Sequence, residues 1–132
     1  MKKINLLLSV AVATLLNSAD VNIKQGWQLL GNGSSQTTMN NFKKDSIKTV
    51  WSYDNRLNRW NAFSPDENIS TIINNNNLIG NLYNIPQNSG FWVSANSADT
   101  ITIDETKNIK AYNLKNGWQL LGTNNCQPFL RL

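Results

Sequence analysis

The chain of 132 residues contains no histidine and a single cysteine, Cys126. Without histidine, neither a Ser-His-Asp or Cys-His catalytic site nor a histidine-bearing zinc site can be built. A single cysteine also excludes an internal disulfide, and we expect Cys126 to be a bystander or an accidental intermolecular partner rather than a nucleophile. The sequence therefore predicts no catalytic residue, no metal and no cofactor.

Acidic residues are also few, and the eight of them form only two adjacent pairs, Asp66-Glu67 and Asp104-Glu105. A glycosidase needs two carboxylates on facing elements, which adjacency along the chain does not establish. No glycine-rich phosphate loop, EF-hand loop or dinucleotide fingerprint is present in the sequence. We predict that the chain is not an enzyme.

The N-terminus has the organisation of a bacterial export signal. Lys2 and Lys3 precede an apolar run over residues 4–16 that is too short to cross a bilayer, and small polar residues then lead to Ala19. We predict a signal peptide over residues 1–19, cleaved after Ala19, in preference to a retained anchor or a buried helix. No later segment is apolar enough to span a membrane, so we expect no stable membrane insertion after cleavage. The predicted location is the periplasm, the cell surface or the medium.

The remaining chain reads as one β-rich extracytoplasmic domain over residues 20–111. Its formal charge falls from +4 to +2 when Lys2 and Lys3 are removed, and its basic residues form no stripe, so we expect no nucleic-acid partner. Five tryptophans argue against disorder, because indole rings are costly to leave in water.

An internal repeat is the strongest signal in the sequence. Residues 21–31 return at 112–122 with eight of eleven positions identical, including Gly-Trp-Gln-Leu-Leu-Gly in both. We call these segments the first copy and the second copy. The alternation within each copy predicts a half-buried strand, and the glycines at its middle and end indicate a bulge or a close approach of another backbone. Residues 112–132 are either a closing strand of the same domain or the start of a second repeat unit that is truncated.

The region between the copies predicts a small antiparallel sheet or sandwich. A strand over 47–53, a turn over 54–58 and a returning strand over 59–63 form an aromatic hairpin. Further strands are predicted at 91–95 and 100–103, and a short helical turn at 39–42. The total is about six short strands with one or two short helices, a β-rich α+β fold.

One of these helices begins with a capping signal. Ser64 is predicted as the N-cap, Pro65 as the first helical residue and Glu67 as the partner of a capping box. Isoleucines then follow at helical spacing, and the asparagine run over 74–77 is expected to end the helix.

Four motifs together resemble a repeat-forming module of secreted and cell-surface proteins of Campylobacterota-type bacteria. They are Gly-Trp-Gln-Leu-Leu-Gly at 26–31, Val-Trp-Ser-Tyr-Asp at 50–54, Trp-Asn-Ala-Phe-Ser-Pro at 60–65 and Gly-Phe-Trp-Val at 90–93. Gln28 stands where that module has Asn, and Phe63 where it has Tyr. The resemblance implies a non-catalytic accessory domain with no active site to carry over.

Two residues are candidate sites. An aromatic platform for sugars could be formed by Trp51, Tyr53, Trp60, Phe91 and Trp92. We expect Trp51, Trp60 and Phe91 to be core, which leaves Trp92 as the residue for ligand stacking. Asn68 lies in Asp66-Glu67-Asn68-Ile69-Ser70, which fits the acidic sequon of a bacterial N-glycosylation enzyme. Its predicted place in a helical first turn argues against modification, because the transferase needs an extended acceptor.

These observations favour a non-catalytic structural or binding module of the bacterial envelope. Its expected partner is an envelope or surface component. Two alternatives stay open: a glycan-binding or carbohydrate-active accessory domain that uses Trp92, and a truncated fragment of a larger surface protein.

Overall fold

The computed structural model describes residues 17–32, 36–105 and 114–122. This part of the chain contains nine strands, one α-helix and one 3₁₀ helix, so the fold is β-rich α+β, as the sequence predicts. In chain order the elements are β1 (Asn17–Ile23), β2 (Gly26–Asn32), β3 (Thr37–Thr38), the 3₁₀ helix (Met39–Phe42), β4 (Ile47–Asp54), β5 (Arg59–Phe63), α1 (Glu67–Asn74), β6 (Gly80–Asn81), β7 (Asn84–Ile85), β8 (Ser89–Ala95) and β9 (Asp99–Glu105).

The strands form one central sheet and two ribbons. The central sheet has the order β2-β8-β4-β5-β6, and it is antiparallel except for the short parallel pair β5–β6. The ribbons are the antiparallel pairs β1–β9 and β3–β7. β2 and β6 are therefore the two edge strands of the central sheet.

The hydrophobic core lies on one face of the central sheet. Phe91, Val93 and Val50 project from the middle strands into this core and are fully buried. Ile101 and Ile103 of β9 and Phe42 of the 3₁₀ helix face them, and the rings of Phe42 and Phe91 meet edge to face at 5.8 Å. The β1–β9 ribbon and the 3₁₀ helix thus cover the inner face of the sheet.

The predicted aromatic hairpin is confirmed. β4 and β5 pair with Tyr53 opposite Trp60, and the Asp54 carboxylate accepts hydrogen bonds from the backbone N–H groups of Arg56 and Leu57 in the turn. Asn58 closes this turn at a φ of 49°, a conformation that asparagine tolerates better than most residues. The predicted helical turn at 39–42 is also confirmed, as the 3₁₀ helix.

The predicted helix start is wrong by two residues. Asp66, not Ser64, is the N-cap of α1, and its carboxylate accepts from the N–H groups of Asn68 and Ile69. The Ser64 hydroxyl instead donates to the Lys48 carbonyl at 2.6 Å, which ties the chain to β4 before the helix begins. Aspartate and serine are similarly preferred as N-cap residues, so residue type alone does not decide between Ser64 and Asp66. The helix ends within the asparagine run, as expected.

The first copy is not the single bulged strand that its alternation predicts. The chain turns at Lys24 and Gln25, and Gly26 adopts a φ of +100°, which separates β1 from β2. The two halves join different sheets, so Ile23 is buried in the core while Trp27 on β2 is 62% exposed. Gly26 is therefore the pivot of a turn between two sheets.

The predicted signal-peptide boundary falls within β1. Residues 1–16 lie outside the described residues, and Asn17 to Ala19 pair with Glu105 to Ile103 on β9. Cleavage after Ala19 would remove those three pairs and leave the four from Asp20 to Ile23.

Hydrogen bonds and an ion pair of Asp99 connect the start of β9 to the segment that precedes β4. Its carboxylate accepts from the Ser46 hydroxyl at 2.5 Å and from the Thr100 N–H at 2.7 Å, and Lys44 Nζ lies 3.6 Å away. The hydrogen bond from Ser46, with smaller contributions from Thr100 and Lys44, lowers the pKa of Asp99 below its ordinary value.

Candidate functional site

Four neighbouring strands place four tryptophans on one face of the central sheet. Trp92 on β8 pairs with Leu29 on one side and with Trp51 of β4 on the other. Residues paired across strands project to the same face, and so do residues two apart on one strand. Trp27 is two residues before Leu29, and Trp60 pairs with Tyr53, two residues after Trp51. All four indoles therefore lie on the face opposite the core.

These tryptophans line a shallow groove of about 390 Å³, and among the described residues they alone line it. We call it the tryptophan groove: Trp27, Trp51, Trp60 and Trp92. Trp27 and Trp60 are exposed, whereas Trp51 and Trp92 are half-buried between them. Three interstrand spacings of about 4.8 Å separate the outermost strands, and Trp27 and Trp60 are offset by four residues, about 13 Å, along the strand direction. The row of indoles therefore runs diagonally across the sheet over roughly 20 Å.

The floor of the groove is fixed by contacts within the sheet. The rings of Tyr53 and Trp60 meet at 5.4 Å with an interplanar angle of 64°, an edge-to-face arrangement that orients Trp60. The indole N–H of Trp51 is buried and has no hydrogen-bond partner among the described residues. Trp51 is thus held by its neighbours rather than by a polar anchor.

The expected division between core and surface aromatics is confirmed at Phe91 and wrong at Trp60. Phe91 is fully buried, while Trp60 is 39% exposed on the open face and Trp51 is half-buried there. The inner face is already filled by aliphatic side chains and phenylalanine, which leaves no volume for indoles. Trp92, the predicted stacking residue, lies at the centre of the open row. Trp27 was not among the predicted site residues, although its even spacing from Leu29 was a signal.

The chemistry available in the groove is apolar and aromatic. None of the described residues that line it is ionisable, so these four side chains supply neither an acid and base nor a charge for an ionic ligand. Within the described ranges, no group of three or more His, Cys, Asp or Glu side chains could hold a metal ion. The groove can bind a ligand by stacking and by excluding water from apolar surface.

A second, polar cleft of about 670 Å³ lies where the second copy meets the sheet. Side-chain amides dominate its lining, among them those of Asn61, Asn81, Asn84, Gln87 and Gln119. The Asn61 Oδ1 atom is buried and has no hydrogen-bond partner in the described part of the chain. The cleft offers donors and acceptors but no aromatic floor comparable to the groove.

Asn68, the predicted glycosylation site, is exposed in the first turn of α1. Its backbone N–H is held by the Asp66 carboxylate at 2.8 Å. An extended acceptor would require this turn to open. Cys126 lies outside the described residues.

Comparison of the chain with protein-family models, with curated proteins and with solved structures finds no match. None of the helices in the described segments is both long and apolar enough to span a bilayer.

Proposed function

We propose that this chain is an exported, non-catalytic binding module of the bacterial envelope, and that its tryptophan groove binds a glycan. The observation that carries the proposal is the row of four indoles from four adjacent strands on an open sheet face. A face with several exposed indoles is unusual for a surface without a ligand, because large apolar side chains are normally turned inward.

A glycan fits this groove better than a small apolar molecule does. The groove is shallow and open along its length, so it suits an extended ligand that stays partly in water. Pyranose rings present C–H groups on one side and hydroxyls at the rim, which allows the indoles to cover the apolar side while the hydroxyls remain hydrated. Stacking across a diagonal row of roughly 20 Å favours an oligosaccharide over a single sugar.

The carboxylates support the non-catalytic part of the proposal, because each of three has a structural partner. Asp54 holds the hairpin turn, Asp66 caps α1, and Asp99 is tied to Ser46. None of them lines the tryptophan groove. Export rests on the N-terminal sequence, and so does the envelope location.

The proposal is tested by titrating the full-length chain with cellohexaose, chitohexaose and maltohexaose while following tryptophan emission. Stacking excludes water from the indoles, so we expect a blue shift and weaker acrylamide quenching with at least one oligosaccharide. Trp92→Ala should weaken binding of that sugar about tenfold, equivalent to about 1.4 kcal/mol.

Trp118→Phe is the matched control, because Trp118 is 85% exposed but lies outside the groove. It should bind the same sugar with unchanged affinity. Emission and quenching that stay constant with all three oligosaccharides would overturn the glycan assignment, as would equal losses in Trp92→Ala and Trp118→Phe.

A further inference from the structure

The outer edge of β2 carries unused backbone hydrogen-bonding groups. In an antiparallel ladder, the N–H and C=O of alternate residues point to opposite edges of the strand. Gly90 directs its N–H to Leu120 on the far side of β8, so Ser89 directs its groups towards Asn32 on β2. Trp27, Leu29 and Gly31 consequently direct theirs away from β8, and no partner for these groups lies in the described segments.

Within the described residues, this edge has none of the features that normally protect an edge strand. β2 is seven residues long, and the sequence Gly-Trp-Gln-Leu-Leu-Gly-Asn contains neither a charged residue nor a proline. Its outermost side chains on the open face are Trp27 and Leu29, 62% and 52% exposed. Edge strands of soluble proteins usually carry charge, proline or a bulge, because an unprotected edge pairs with other strands.

In the second copy, the equivalent backbone groups form hydrogen bonds with the chain beside them. Leu120 and Gly122 are the repeat equivalents of Leu29 and Gly31. The Leu120 carbonyl accepts from the Gly90 N–H at 2.9 Å, and the Gly122 N–H donates to the Asn88 carbonyl at 3.0 Å. The groups that have no partner in the described part of the first copy are thus paired, in the second, with Gly90 of β8 and with Asn88 just before it.

We propose that a second copy of this chain docks on β2, with the two β2 strands antiparallel about a two-fold axis at Leu29. In this register Leu29 lies opposite Leu29, and Trp27 of each chain lies opposite Gly31 of the other. All three outward residues then form hydrogen-bonded pairs. Each indole crosses a glycine, where no side chain obstructs it, and two uncharged strands meet without like-charge repulsion.

The symmetry of this pairing favours a second copy of the chain as the partner of the β2 edge. A two-fold interface uses the same patch on both molecules, so it covers both free β2 edges at once and leaves no new one. The central sheets join into a single ten-stranded sheet, and their two tryptophan grooves become neighbours on one face. This inference does not depend on the nature of the ligand in the groove.

Sedimentation equilibrium of the full-length chain tests the proposal, because residue 29 meets itself in the dimer. The wild-type chain should dimerise reversibly. Leu29→Lys and Leu29→Glu should each weaken dimerisation at least tenfold, since two like charges then face each other across the axis. An equimolar mixture of the two variants should recover the dimer, because Lys then faces Glu.

The matched control is Leu57→Lys, which charges an equally exposed leucine in the turn between β4 and β5. It should leave the dimer constant unchanged, and circular dichroism should show that all three variants remain folded. Three results would overturn the proposal: a monomeric wild-type chain at every concentration, a mixture of the charged variants that stays monomeric, or a Leu57→Lys variant that dissociates as readily as Leu29→Lys.

Discussion

The two copies of the repeat have the same local geometry and different surroundings. Each turns the chain at a glycine of positive φ, +100° at Gly26 and +95° at Gly117. In each, a glutamine donates its side-chain amide to the carbonyl of the lysine four residues earlier: Gln28 to Lys24 at 2.6 Å and Gln119 to Lys115 at 2.5 Å. The peptide sequence alone is therefore sufficient to specify this turn.

Beyond the turn the copies diverge. The first continues into β2, which pairs with β8 along all seven of its residues. The second lies on the opposite edge of β8, where Leu121 forms an isolated bridge with Ser89 and the Asn55 side chain donates to the Trp118 carbonyl. β4 pairs with this edge of β8 only from Ala95 to Trp92. The second copy occupies the rest of the edge, at Gly90 and Ser89. A near-identical sequence is thus a full strand only where a partner strand is available along its length.

The largest expected difference in unfolding free energy comes from the different burial of equivalent leucines in the two copies. Leu30 is partly buried against the core, whereas its equivalent Leu121 is 46% exposed. Leu30→Ala should lower the free energy of unfolding by about 2 kcal/mol, and Leu121→Ala by less than about 0.5 kcal/mol. Urea denaturation followed by far-UV circular dichroism measures both. Equal losses would show that the second copy is as integrated as the first.

The next largest change in unfolding free energy is expected from substituting the two turn glycines, Gly26 and Gly117. Apart from Gly26 itself and its two chain neighbours, no described residue has an atom within 4 Å of a Cβ built on Gly26. Gly26→Ala should therefore cost only backbone strain, about 1–2 kcal/mol of unfolding free energy. Gly117→Ala imposes the same strain where few contacts hold the chain, so it should release the second copy instead. The readout is hydrogen exchange at the Gly90 amide, which donates to Leu120.

We expect Gly117→Ala to speed exchange at Gly90 without shifting the urea midpoint, and Gly26→Ala to shift the midpoint. A midpoint shift of equal size in both variants would mean that the second copy unfolds together with the central sheet. Unchanged exchange at Gly90 in Gly117→Ala would show that the bond to Leu120 tolerates the strain.

Local patterns predicted the elements whose causes are local. The hairpin followed from alternation on both sides of a polar turn, and the end of α1 from the run of asparagines. The N-cap was misplaced because Ser64 and Asp66 are both good caps, and the choice depends on the Ser64 hydroxyl reaching Lys48, sixteen residues earlier in the chain.

The sides of the sheet were harder to predict than its strands. Period two shows that Trp51 and Tyr53 share a face, but it does not say which face is inside. That depends on the β1–β9 ribbon, whose Ile101 and Ile103 cover the other side of the sheet. The same limit applied to the first copy, where continuous alternation concealed a change of sheet at Gly26.

The smallest expected change in unfolding free energy comes from removing the glutamine side chain of each copy. Gln28 makes two bonds to Lys24, accepting from its N–H at 2.8 Å and donating to its carbonyl, whereas within the described residues Gln119 is bonded only as a donor to Lys115. Both sites are exposed, so Gln28→Ala should lower the free energy of unfolding by about 0.5 kcal/mol, and Gln119→Ala should leave it unchanged.

Gln28→Glu isolates the two bonds, because a carboxylate can accept from the Lys24 N–H but cannot donate to its carbonyl. An intermediate loss, measured by the same urea titration, is expected if both bonds contribute. If Gln28→Glu is as stable as the wild-type chain, the donated bond adds nothing to the folded state. The geometry that the two copies share would then be set by the glycine alone, since the donated bond is the only glutamine contact common to both.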